Sequence, residues 1–302
     1  MYPAARREAE GAEDGRRTDR LRDRPHRHQA VTPLFLLIRR DRGPMNARTY
    51  EGGAADVGHT ADGPALRTGR RPDPRIARLV AEALGGARDV LNVGAGAGSH
   101  RRPARAVRPV APSGSAPARR PALLPRTVDA VAEDLPFPDG EFDGAMSLFS
   151  VHHWNDPAAG LREVRRVTRG PVVVLTRAPE RVRDFWLYGY APEVLDIEAR
   201  RHPPVRALTA ALGGTVTVRT VPVPLDCTDG FDEAYYGRPE MLLEPAARQA
   251  SSAWSFVNDG VRERFDRALR GDLASGAWDR RFGHLRTRPA YEGSLVVVRA
   301  TP

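Results

Sequence analysis

The chain is 302 residues long and 41% apolar, enough for one large α/β domain or two small ones. Its formal net charge is +9, with every cation an arginine. The single cysteine, Cys227, excludes an internal disulfide and a cysteine-rich zinc site. The basic excess is local: residues 1–44 carry 11 Arg against 7 acids, and residues 99–128 carry 7 Arg and no acid. Both segments are rich in proline and arginine, and the rest of the chain is near neutral. The pattern reads as low-complexity charge, not as a nucleic-acid-binding surface. No apolar run approaches the ~18 residues of a membrane span. The stretch "VTPLFLLI" at 31–38 is short and follows a charged leader. The expected protein is cytoplasmic, with neither a membrane nor a nucleic-acid partner.

In chain order, residues 1–44 are expected to be a disordered, arginine-rich extension, followed by a core domain over 45–225. "RRPDPRIARLVAEALGG" predicts a helix with Asp73 as N-cap and Pro74 at the first helical position. Ile76, Leu79, Val80, Ala83 and Leu84 form its apolar face, and Gly85 ends it. "DVLNVGAG" follows as a short buried strand. The Arg/Pro stretch after it should hold one strand and one helix. "EFDGAMSLF" reads as another buried strand. In "NDPAAGLREVRRVTRGP", Asp156 caps a second helix, Pro157 starts it, and Leu161, Val164 and Val167 face inward. "PVVVLT" is a central strand by its β-branched run. Residues 215–224 and 291–300 are read as two late strands, with a helical cap over 226–290 between them. Strands alternating with helices imply an α/β fold built on a mostly parallel sheet with helices on both faces.

Gly94, Gly96 and Gly98 follow the first strand as G-x-G-x-G. Glycine there permits unusual dihedrals and close backbone approach to a ligand. A nicotinamide-binding turn needs its third glycine at 99, where Ser99 stands. Downstream, "EDLPFPDGEFDGAMSLFSVHHW" (133–154) resembles the corresponding stretch of class I S-adenosylmethionine-dependent methyltransferases of the type 11 group. With "VLNVGAGAGS" and "LREVRRVTRGPVVVLT", the resemblance covers roughly residues 71–176.

That resemblance implies a Rossmann-like fold and S-adenosyl-L-methionine as cofactor, with a small-molecule methyl acceptor as substrate. Gly94, Gly96 and Gly98 would lie against the methionine and ribose parts of the cofactor. Asn92 and Ala111 stand at two positions where the family usually has an acid, the second being the ribose-binding carboxylate. Val131 stands where an adenine-binding Asp is common. Ala132 offers a backbone contact instead, and Glu133 or Asp134 is an acid within reach by sequence. A hydrogen bond to a charged group contributes about 1.5–3 kcal/mol, so loss of the ribose acid weakens binding about 10- to 150-fold.

His152 and His153 follow the fourth strand and are candidate bases, with pocket lining as the blander role. Phe149 and Trp154 are candidate walls for the adenine or sulfonium, or ordinary core residues. Tyr235, Tyr236 and Arg238 either shape an acceptor pocket or pack the cap onto the sheet. Two other readings stand beside the enzyme: a degenerate binding protein on the same fold, and a nicotinamide-dependent oxidoreductase.

Overall fold

The computed structural model describes residues 71–95, 105–112 and 126–302. The arginine-rich extension and the helix expected after the glycine turn lie outside them. The first helix, α1 (Pro74–Leu84), begins as its sequence dictates: Asp73 accepts from the Arg75 N–H at 2.9 Å, and Gly85 ends it at φ 58°. Asp73 also accepts from the Thr228 N–H at 3.1 Å, pinning the start of α1 to a segment 155 positions away. Burial opposes the charge of Asp73, but its hydrogen bonds to Arg75 and Thr228 hold the carboxyl well below its usual range.

The strands are β1 (Asp89–Val93), β2 (Ala106–Ala111), β3 (Val128–Asp129), β4 (Gly144–Leu148) and β5 (Val172–Arg177), followed by β6 (Thr215–Thr220), β7 (Val223–Pro224), β8 (Ala290–Tyr291) and β9 (Leu295–Thr301). Seven form one sheet in the order β3-β2-β1-β4-β5-β9-β6. The first five run parallel, and β9 lies antiparallel between β5 and β6. Along β5, Val172 and Val174 face one apolar cluster while Val173 and Leu175 face the other. This alternation explains the unbroken β-branched run: both faces of the strand are buried, so both parities are apolar.

One face is covered by α2 (Pro157–Arg166) and α4 (Val205–Leu212), with Leu161, Val164, Leu208 and Leu212 against the sheet. The other is covered by α1, α3 (Pro192–Arg201) and the segment 225–289, which holds α5 (Pro245–Gln249), α6 (Asp259–Ala274) and α7 (Ala277–Phe282) among short 3-10 turns. Trp254, Phe265 and Trp278 of that segment share one apolar cluster with Ile76, Val80 and Met146. No helix among the described residues is long and apolar enough to cross a membrane.

Two late strands differ from their sequence reading. Residues 215–224 break after Thr220, because Pro222 and Pro224 cannot donate to the β9 ladder. Their last two residues pair with β8 in a separate two-stranded ladder. Residues 291–300 break as well: the chain turns at 292–294 before β9 starts at Leu295.

The "LPFPDG" loop is held by one arginine of α2. Arg166 donates to the carbonyls of Phe137 (3.0 Å) and Leu135 (3.2 Å) and pairs with Asp139 and Glu163, both at 2.6 Å. Glu163 in turn accepts from the Leu135 N–H at 3.3 Å. The loop and the "LREVRR" helix are thus one mechanical unit. At the end of that helix a Cβ on Gly170 would lie 1.8 Å from the Asp143 carbonyl oxygen. Gly170→Ala is therefore expected to destabilise the fold by about 1–3 kcal/mol, read as a lower urea midpoint at unchanged m-value.

Candidate functional site

The carboxyl ends of β1, β2 and β4 meet at Gly94. Its N–H donates to the Val110 carbonyl at 2.9 Å, and its φ of 76° suits glycine. A Cβ at this position would sit 2.3 Å from the Ser150 hydroxyl oxygen. That hydroxyl donates to the Val93 carbonyl at 2.9 Å and lies 2.7 Å from the Ser147 hydroxyl. Since Ser150 has one hydroxyl hydrogen, Ser147 is the donor to it. The bare backbone of Gly94 thus makes room for Ser150. Gly96 and Gly98 lie outside the described residues.

Asn92 is buried in β1, paired with Pro109 on one side and Met146 on the other. Ala111 ends β2, 3% exposed, and the register sets Asp129 of β3 beside it. Sequence reasoning missed Asp129, because β3 is only two residues long and carries no periodicity. Val131 is exposed at 38%, an apolar side chain at the same edge. Ala132 is buried beneath Gly160, whose missing side chain admits Ala132 and the Trp154 ring. Glu133 accepts from the Asp156 N–H at 2.8 Å, so one of its oxygens fixes the entry to α2. Trp154 is a core residue.

Phe149 follows β4 with φ 53°, the single non-glycine residue of positive φ among the described residues. Such a backbone costs about 1–3 kcal/mol and concentrates at functional sites. Its half-buried ring lies 5.6 Å from that of Phe231. His152 and His153 come next, in a 3-10 turn. The His152 ring sits between those of His153 (3.9 Å) and His202 (4.3 Å). Burial, then the nearby His153, His202, Arg201 and Arg177, push the His152 pKa well below its ordinary value, so the ring is neutral and weakly basic. His153 is half-buried.

Behind the histidines lies a network the sequence reading did not find. His202 lies 3.2 Å from both Glu198 and the Thr176 hydroxyl. Burial lowers its pKa, so the ring is neutral. Glu198 accepts, which puts the ring proton on Nε2 and makes Nδ1 the acceptor for Thr176. Glu198 also meets Arg177 Nε at 3.0 Å. Burial opposes the charge on Glu198, but Arg177, His202 and Arg201 hold it ionised. The one available sequence signal was Arg177 itself, a charge directly after a fully buried β-branched strand.

In the helical segment, Tyr236 stacks on Tyr291 at 5.2 Å and its hydroxyl donates to the Arg288 carbonyl. Arg238 donates to the carbonyls of Cys227 (3.1 Å) and Ala234 (3.0 Å) and covers the Tyr235 ring. These contacts tie the segment to itself and to β8. Asp232, fully buried, accepts from Ser251 (2.9 Å) and the Trp254 indole (3.1 Å).

The sheet order and the edge just described define a class I S-adenosylmethionine-dependent methyltransferase fold. Residues 91–174 match the family described as "Methyltransferase domain". A solved structure from Anabaena variabilis ATCC 29413, a proposed methyltransferase from an antibiotic biosynthesis pathway, is 26% identical with a TM-score of 0.70, covering 78% of this chain and 100% of that one. Among curated proteins, the uncharacterized protein YafE of Escherichia coli (strain K12) is 45% identical over 65 residues, 20% of this chain and 31% of that protein. The chloroplastic 2-methyl-6-phytyl-1,4-hydroquinone methyltransferase of Spinacia oleracea is 41% identical over 54 residues, 18% of this chain and 16% of that protein. The matches thus span less than a third of the curated relatives. Over residues 91–174 the chain is thus similar to a methyltransferase domain, and its fold is that of class I S-adenosylmethionine-dependent methyltransferases.

Two outcomes test this geometry. Gly94→Ala combines an unfavourable φ with a clash against Ser150, so a loss of about 1–3 kcal/mol is expected. Adding Ser150→Gly relieves the clash alone and should restore part of the urea midpoint. Burial raises Asp232 to about 6, against the ordinary 3.8. A carboxyl raised this way stabilises the fold most below its unfolded value and loses that contribution as pH rises through 6. Asp232→Asn should therefore melt above wild type at pH 7.5, with the gap closing towards pH 5.

Proposed function

We propose that the protein is a cytoplasmic methyltransferase that uses S-adenosylmethionine to methylate a small molecule at the carboxyl edge of β1, β4 and β5. The observation that carries this reading is the strained Phe149, set between the Gly94 turn and the two histidines. An exposed Val131 and a half-buried Phe149 suit the apolar faces of an adenosyl group. Ala111 supplies no ribose carboxylate, and Asp129, its register neighbour, is the acid that stands in for it. The described residues therefore fit the cofactor, with a weakened ribose contact.

When bound, the cofactor supplies an electrophilic methyl group, and transfer needs alignment and a dry pocket more than acid–base power. The Gly94 turn and Asp129 would hold its adenosyl part, with Val131 and Phe149 against the rings. Neutral His152 accepts or donates a hydrogen bond but is a poor proton acceptor. His153, half-buried beside it, is the candidate to take a proton from the acceptor. Glu198 and Thr176 fix His202, and through a tilted ring contact His202 holds His152. The rival reading, a binding protein without catalysis, draws on Ala111 and Val131.

Calorimetry with S-adenosylmethionine, S-adenosylhomocysteine and NAD separates the readings. Saturable binding of the first two alone is expected, and silence from all three would favour the non-catalytic member. Ala111→Glu should tighten S-adenosylhomocysteine binding about 10-fold or more. Unchanged affinity would mean that the ribose does not lie at the end of β2.

A further inference from the structure

The turn that presents Val131 rests on one stripe of α2. Counting from the N-cap, Asp156, Gly160, Glu163 and Arg166 are spaced four, three and three residues apart, so they share one helix face. Each meets the segment 132–139. The Asp156 N–H donates to Glu133 Oε1 at 2.8 Å. Gly160 leaves room for Ala132: a Cβ there would lie 3.1 Å from the Ala132 Cβ and 2.7 Å from the Trp154 ring. Glu163 Oε1 accepts from the Leu135 N–H at 3.3 Å. Arg166 holds Leu135, Phe137 and Asp139. Leu161 and Val164 of the same helix are buried in the sheet cluster, so α2 itself is fixed.

Arg166 is the most committed of the four. A guanidinium has five N–H donors, and here each has an acceptor. Nε donates to Glu163 Oε2 at 2.9 Å. Nη1 donates to the Phe137 carbonyl at 3.0 Å and to Asp139 Oδ1 at 2.6 Å. Nη2 donates to the Leu135 carbonyl at 3.2 Å and to Glu163 Oε1 at 2.6 Å. The hydrogen bond from Arg166 is the main reason the Glu163 carboxyl lies below its usual range. Ion pairs as exposed as these contribute little stability by themselves: the Arg166 side chain is 34% exposed and that of Asp139 is 82%. What a bidentate fork and two carbonyl contacts supply is direction, because the planar donors fix where Leu135 lies relative to α2.

That position reaches the site through a short path. Val131 and Asp134 pair across the turn as an isolated antiparallel bridge, and the Asp134 N–H donates to the Val131 carbonyl at 3.3 Å. Leu135 follows directly, so Val131 is placed by the residue that Arg166 and Glu163 grip from both its N–H and its carbonyl.

We propose that Arg166 is a positioning residue for the cofactor: acting through the 131–135 turn, it sets Val131 against the adenosyl rings without touching them. The assignment rests on the cofactor reading given above.

Calorimetric titration of the full chain with S-adenosylhomocysteine tests it, at a temperature where circular dichroism shows each variant folded. Arg166→Met removes all five donors and should weaken binding about 3- to 10-fold. Arg166→Lys keeps the charge but offers three donors on one nitrogen, too few to serve both carbonyls and both acids. It should give a smaller loss, and it decides the matter should Arg166→Met fail to fold. Arg183→Met is the control for general loosening. It breaks a 2.6 Å ion pair with Asp196 of α3, on the other face of the sheet, and should leave the affinity at its wild-type value. Hydrogen exchange supplies a readout without ligand: the amides of 131–137 should exchange faster in either Arg166 variant than in wild type. Wild-type affinity in the Arg166 variants, unchanged exchange at 131–137, or an equal loss of affinity in Arg183→Met would overturn the proposal alone. No binding to the wild-type chain would overturn the cofactor reading, and this assignment with it.

Discussion

Ser150 donates its hydroxyl hydrogen to the last carbonyl of β1 from the space that any side chain at position 94 would occupy. Three strand ends are joined there: β1 through Val93, β2 through the Gly94 N–H on Val110, and β4 through Ser147. Because Ser150 is held, Phe149 cannot relax its backbone, and the turn that carries both histidines leaves the sheet in one direction. The strain at Phe149 persists because its surroundings over-determine it. Everything assigned to the carboxyl edge inherits its placement from this contact.

Around it the protein uses charge in two different ways. On the β3 side, Arg166 fastens a surface loop by carbonyls and partly exposed acids, where solvent already stabilises the ions. On the β9 side, Arg177, Glu198 and Arg201 are desolvated, and their attraction must first offset the cost of leaving water. A network of the second kind is weak evidence for stability. Its geometry, from Thr176 through His202 to Glu198, instead fixes the orientation of a ring at the site.

Much of this architecture was legible in the sequence. Asp73-Pro74 and Asp156-Pro157 announced both helix starts, because caps are local and depend on few neighbours. The "PVVVLT" run announced the central strand, because burial on both faces leaves a compositional trace. The proline-broken late strands were read as continuous, since hydropathy alternation survived where hydrogen bonding did not. Asp129 and the Arg177–Glu198–His202 network were not legible at all. Their partners lie one strand or one helix away, and no spacing rule within a single segment encodes such meetings. Tyr236 and Arg238 looked like site residues by type, yet their hydrogen bonds go to nearby backbone carbonyls.

The two ends of the main sheet are treated unequally. β3 offers only two residues at one rim, while β6 offers six at the other. A long, flat rim is an invitation to intermolecular strand stacking. Here Thr215 and Arg219 are exposed along β6, and Pro222 follows at its end, so a neighbouring molecule meets a cation and then a residue without an N–H. The placement of these residues acts as a guard against fibrillar self-association.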